Sequence, residues 1–122
     1  VIATGKTTTV RDFVKMSFSY AGIELEFKGE GANEKAVVVS CSNEKYQVEI
    51  GKEVVAIDSK YFRPTEVDLL IGDPTKANTK LGWIPEYNLE QLINEMMESD
   101  LKLMTKDQYL KDGGYTIMNY FE

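Results

Sequence analysis

A chain of 122 residues with 43% hydrophobic and 28% charged residues has the make-up of one globular domain or a piece of one. Its net charge of −6 excludes a nucleic-acid grip built on bulk positive charge, while leaving room for one local basic site for a phosphate. With no histidine and a single cysteine, Cys41, the chain excludes Ser-His-Asp, Cys-His and His-ligated metal chemistry, and it has no internal disulfide. A lone cysteine fits an intracellular, cytoplasmic setting. No apolar run approaches the ~20 residues of a membrane span, and residues 1–9 lack the layout of a signal peptide. Val1 opens directly into an apolar stretch, so the chain is expected to be cut from a longer one.

In chain order, Val1 to Ala3 predicts a short buried strand. Val10, Phe13, Val14, Ser17, Phe18 and Ala21 recur at helical spacing. Thr9 and Asp12 are placed as a capping box with Asp in place of Glu, and Gly22 is the stop. Ile23 to Phe27 alternates apolar and acidic residues, as a half-exposed strand does. "AVVVSC" reads as a buried strand that keeps Cys41 inert. "YQVEI-GK-EVVAID" predicts a hairpin turning at Gly51-Lys52. An apolar, strand-like run follows Glu66. Asp73 then caps a short helix with Pro74 at its first position and Gly82 at its end, and Trp83 is expected to pack back on the core. "NLEQLINEMMESDLKLM" is the strongest helix. Asn88 is its cap and Gln91 the reciprocating residue, with Leu89, Leu92, Ile93, Met96, Met97 and Leu103 as its apolar stripe. A further short helical pattern follows Met104 and breaks at Gly113-Gly114. The tail "YTIMNYFE" reads as a docked strand or a loose end. The expected class is α/β, a small mixed sheet with several helices, divided as residues 1–112 and a tail, 113–122.

The chemistry concentrates in "YFRPTEVD". Pro64 fixes its own φ and pushes Arg63 toward an extended conformation, presenting the guanidinium on a stiff stem. That planar fork suits a phosphate or diphosphate, and Glu66 suits the paired hydroxyls of a ribose. The residues alone leave equally open that Arg63 and Glu66 form a surface ion pair with each other. Thr4, Gly5 and the threonines before the first helix offer a second anion candidate, but capping is the favoured role for such threonines. Arg11 either reaches another element or is solvated. Tyr61 suits a half-buried sheet position as well as a ligand. Asp58, Asp68 and Asp73 lack a metal-loop spacing. The chain carries no glycine-rich phosphate loop and no catalytic constellation.

"VIATG", the Thr-Val-Arg-Asp-Phe helix start, "YFRPTEVD", "GDPTKA" and "LGWIPE" occur in this order. Together they resemble the C-terminal part of the GDP-mannose 4,6-dehydratase family, within the extended short-chain dehydrogenases/reductases. The resemblance runs from Val1 to about Leu103. It implies the substrate-binding part of an NAD(P)-binding Rossmann-type enzyme whose missing N-terminal part carries the NADP loop and the catalytic set. It also implies that Arg63 contacts the diphosphate and Glu66 the ribose of GDP-mannose. The family's reaction yields GDP-4-keto-6-deoxymannose: hydride leaves C4, water is eliminated across C5–C6, and the hydride returns to C6. The product feeds GDP-fucose and deoxysugar synthesis. A homo-oligomeric full-length enzyme is implied, with this piece inactive alone. Two other readings stand beside it: a part of another nucleotide-sugar epimerase or reductase, and a standalone non-catalytic binding domain. Exposed apolar surface would mark the first reading, and an independently folding unit the last.

Overall fold

A computed structural model describes residues 1–66 and 69–118. Helix α1, Val10–Tyr20, begins where Thr9 stands in extended backbone and its hydroxyl accepts the Asp12 amide at 3.0 Å. The same hydroxyl donates to the Asp12 carboxylate at 2.7 Å, so the pair closes on itself as the spacing predicts, with the shorter Asp reaching the hydroxyl. The helix ends at Gly22, which has φ +74°. A Cβ there would come within 2.9 Å of the Ser42 hydroxyl and 3.0 Å of Asn43 Cβ, so both the turn and the close approach need glycine.

Strand β1, Ile23–Lys28, pairs antiparallel with β2, Lys35–Cys41. Glycine and a short 3₁₀ turn at Gly31–Asn33 separate them. Strand β3, Glu53–Ala56, adds to the other edge of β2, giving the order β1-β2-β3. Leu25 stands opposite Val38, Phe27 opposite Ala36 and Ala36 opposite Val55, which sets one apolar face. Ala36 and Val38 are 0% and 1% exposed. With Ala21, Ile23 and Leu25 they form the core, closed by Val14 and Phe18 of α1.

Helix α2, Thr75–Leu81, stops at Gly82 (φ +63°), as its sequence predicts. The helix begins one residue later than expected: Pro74 is the residue before the first turn. Asp73 still serves that turn, since its carboxylate accepts the Thr75 amide at 2.9 Å. Helix α3, Leu89–Asp112, carries a full capping box. Asn88 Oδ1 accepts the Gln91 amide at 2.8 Å, and Gln91 Oε1 accepts the Asn88 amide at 3.0 Å. Ile93, 2% exposed, anchors α3, and Met97 packs against the sheet core.

Several expectations change. The α/β class holds, but the three strands are antiparallel throughout and not mixed. Val1–Ala3 makes no strand, and Val1 and Ile2 stand 77% and 66% exposed. Residues 46–50 do not form a hairpin with β3. That strand pairs with β2 instead, and around the turn Gly51 donates to Val38 O at 2.7 Å while Val38 donates to Lys52 O at 3.0 Å. The helical pattern after Met104 is a continuation of α3, because no breaker precedes Gly113. Leu92 and Met96, placed on the apolar stripe, are 44% and 46% exposed. Trp83 is half-buried and lies outside the core cluster. The strand-like run after Glu66 includes Val67 and Asp68, outside the described residues; Leu69 to Ile71 form no regular strand. Residues 119–122 of the tail lie outside the described residues too.

Ile93→Ala is expected to cost about 2–5 kcal/mol by denaturant unfolding, since it opens a cavity under α3. Asn88→Ala is expected to cost about 1 kcal/mol through the lost cap. An Ile93→Ala cost no larger than the Asn88→Ala cost would contradict this packing.

Candidate nucleotide-binding loop

The candidate loop leaves the sheet directly after β3. Asp58 folds it: its carboxylate accepts the Lys60 amide at 2.8 Å, and its carbonyl accepts the amides of Tyr61 at 3.0 Å and Phe62 at 3.1 Å. This turn fixes the stem ahead of Arg63, and Pro64 restricts the backbone behind it. Phe62 leans toward the 3₁₀ turn, its ring edge 3.9 Å from where a Cβ on Gly31 would sit. Tyr61 is 72% exposed with the Lys60 ammonium 5.3 Å from its ring centroid, so it is not a half-buried sheet residue.

Arg63 and Glu66 come together. Nη1 of Arg63 lies 3.5 Å from Oε1 of Glu66, and the side chains are 79% and 57% exposed. The surface ion pair left open by the sequence is therefore present. A single long contact in water holds two flexible side chains by under about 1 kcal/mol. A phosphate offering the guanidinium two charge-assisted hydrogen bonds can displace it.

The threonine stretch before α1 resolves toward capping. Thr9 is committed to Asp12, the Thr7 hydroxyl donates to Leu70 O at 3.3 Å, and Thr4 Oγ1 contacts Lys6 O and N at 3.4 Å. These residues form one wall of a cavity of about 990 Å³, with Tyr87 and the start of α3 opposite. At each helix start facing it the cap side chain already takes one first-turn amide, that of Asp12 in α1 and that of Gln91 in α3. Arg11 reaches another element: Nε donates to Glu34 Oε1 at 2.8 Å, and the guanidinium sits 5.6 Å over the Phe27 ring. Cys41 is half-buried, its thiol donating to Tyr46 O at 3.4 Å. The three lysines of a second cavity, Lys45, Lys102 and Lys106, carried no sequence signal, because α3 and the turn after β2 are far apart in the chain.

Thus an exposed arginine–glutamate pair stands on a turn-anchored loop of an α/β scaffold, open to solvent and outside the core. Residues 1–96 match the family model described as GDP-mannose 4,6 dehydratase. The chain belongs to that family, and Arg63 and Glu66 lie inside the matched region. It is 46% identical over 118 residues to a GDP-mannose 4,6-dehydratase of Yersinia enterocolitica, covering 96% of this chain and 32% of that protein. A Vibrio cholerae GDP-mannose 4,6-dehydratase is 48% identical over the same shares. The human GDP-mannose 4,6 dehydratase is 44% identical over 104 residues, 85% of this chain and 26% of that protein. The chain spans about a third of the length of the curated relatives it matches.

At the neighbouring turn, the Thr75 hydroxyl and amide hold the Asp73 carboxyl below its ordinary value of 3.8. A depressed folded pKa contributes stability that is intact above that ordinary value and lost as pH falls through the lower folded one. A carboxyl-carbon NMR titration should place the Asp73 midpoint below 3.8 in the native protein and return it toward 3.8 in Thr75→Val. An unshifted native midpoint would contradict the contact.

Proposed function

We propose that residues 1–112 are the nucleotide-sugar-binding portion of an NADP-dependent GDP-mannose 4,6-dehydratase, with 113–122 as its tail. The single observation that supports this most is the Arg63–Glu66 pair: exposed, adjacent, stiffly mounted and inside the family-matched region. Arg63 takes the diphosphate of GDP-mannose through its planar fork, and Glu66 accepts hydrogen bonds from the ribose hydroxyls. Substrate arrival replaces a weak ion pair with stronger charge-assisted contacts, so little is lost in opening the site.

The described residues do not fit NADP: none of the strands runs through a glycine-rich loop into an α-helix, since Gly29 and Gly31 after β1 lead only into a three-residue 3₁₀ turn, and α1 is entered through threonine caps. We assign the cofactor and the catalytic groups to a Rossmann-type part outside this chain. Exposed apolar side chains favour such a partner over a standalone domain. Val1 and Leu70 in connecting segments and Leu81 at the end of α2 are 77–78% exposed. On this reading the full enzyme converts GDP-mannose to GDP-4-keto-6-deoxymannose, in the cytoplasm and as a homo-oligomer, and this portion holds the nucleotide end still while the sugar reacts. Among the described residues no helix is long and apolar enough to cross a membrane.

Titration of the complete protein with GDP and GDP-mannose tests the assignment. Arg63→Ala should weaken both by about 1.5–3 kcal/mol, roughly tenfold to 150-fold in Kd. Unchanged affinity for both ligands would sink the role given to Arg63.

A further inference from the structure

A second cavity, with no residue of the Arg63 loop in its lining, lies between the end of α1, the turn at 43–46 after β2, and the C-terminal half of α3. Its volume is about 730 Å³, within the range of small-molecule sites. The turn is built before any ligand arrives. Asn43 Oδ1 accepts the amides of Lys45 at 2.8 Å and Tyr46 at 3.3 Å, and the αL glycine at the end of α1 lets residues 42–43 pack close. Lys45 and Tyr46 are thereby held facing Lys102, Thr105 and Lys106 of α3.

The charge here runs against the chain as a whole. Three lysines and one glutamate line the cavity, in a protein of net charge −6. Glu98 is taken up by Lys102 at 2.8 Å. Lys45 and Lys106 enter none of the ion pairs formed among the described residues. The Lys45 ammonium sits 5.2 Å from the Tyr46 ring centroid. Hydrogen bonding from Lys45 and Thr105 holds the Tyr46 phenol below the ordinary tyrosine value. The remaining lining is aromatic and apolar. Tyr20 and Tyr109 are 40% and 79% exposed at the rim, and Leu101 and Ala21 are also in the wall. Aromatic faces left in water beside lysines with no carboxylate partner suit a ligand with a flat body and a negative group.

We propose that this cavity is a second binding site, for a small organic anion whose phosphate or carboxylate meets Lys45 and Lys106 and whose ring packs among Tyr20, Tyr46 and Tyr109. It is separate from the Arg63 loop and does not depend on the function proposed for that loop.

Isothermal titration calorimetry of the complete protein with phenyl phosphate tests it. Saturable binding is expected, weakened at least ~10-fold in the double variant Lys45→Gln/Lys106→Gln, which removes two charge-assisted contacts. Tyr109→Ala should weaken it severalfold, and inorganic phosphate should bind severalfold more weakly than phenyl phosphate. Arg63→Ala should retain the phenyl phosphate binding that the double lysine variant loses, which separates the two sites. No saturable binding, or equal affinity in the double lysine variant, would overturn the proposal. Inorganic phosphate binding as tightly as phenyl phosphate would overturn the aromatic part of it, and loss of binding in Arg63→Ala would assign the ligand to the other loop.

Discussion

Strand β2 is the constraint on which the described structure rests. It is the strand with neighbours on both edges, and its inward residues Ala36 and Val38 are enclosed almost completely. α1 lies over β1 and the core, and α3 reaches the same cluster through Met97. The small side chain at Ala36 matters here: with no solvent-exposed surface left, a larger residue would have to displace Phe27 or Val55, its cross-strand partners. The register shifts put one extra residue on β2 at Val39, facing β1, and one on β3 at Val54, facing β2, and each bends its own strand locally.

The position of the Arg63 loop follows from that pairing. β3 docks on β2, and the Asp58 turn begins two residues after β3 ends. Chain direction out of the sheet is thus set before Pro64 restricts it further. The proposed grip on a diphosphate uses this inherited stiffness: the guanidinium is presented by backbone geometry, while its own ion pair is weak and solvent-exposed. The lysine–tyrosine cavity depends on the opposite end of β2, where the 43–46 turn leaves the sheet. One central strand therefore positions both candidate sites, at its two ends.

Much of this was legible locally. Both long helices announce themselves through caps, Thr9 with Asp12 and Asn88 with Gln91, because capping chemistry acts within one turn. The alternation in β1 was readable for the same reason. What failed needed information from far along the chain. Gly51-Lys52 does make a turn, but the partner of β3 is β2, chosen by side-chain packing that the turn residues do not encode. Val1–Ala3 has the apolar look of a strand, yet a strand also needs a paired edge. The exposed Leu92 and Met96 share a helix face with apolar neighbours, and periodicity does not say which side is covered. The nearness of Arg63 and Glu66 was readable from their spacing and the proline. Their partner in function was not, and that reading leaned on resemblance to the dehydratase family, to which the match over residues 1–96 assigns the chain. The grouping of Lys45 with Lys106 had no local signature at all.

The most direct measurement is the structure of the complete protein with GDP-mannose bound. The proposed role predicts the Arg63 guanidinium about 2.7–2.9 Å from diphosphate oxygens. It also predicts the Glu66 carboxylate on the ribose hydroxyls and the Arg63–Glu66 contact opened. A complex in which the nucleotide lies elsewhere and that ion pair persists in water would contradict it.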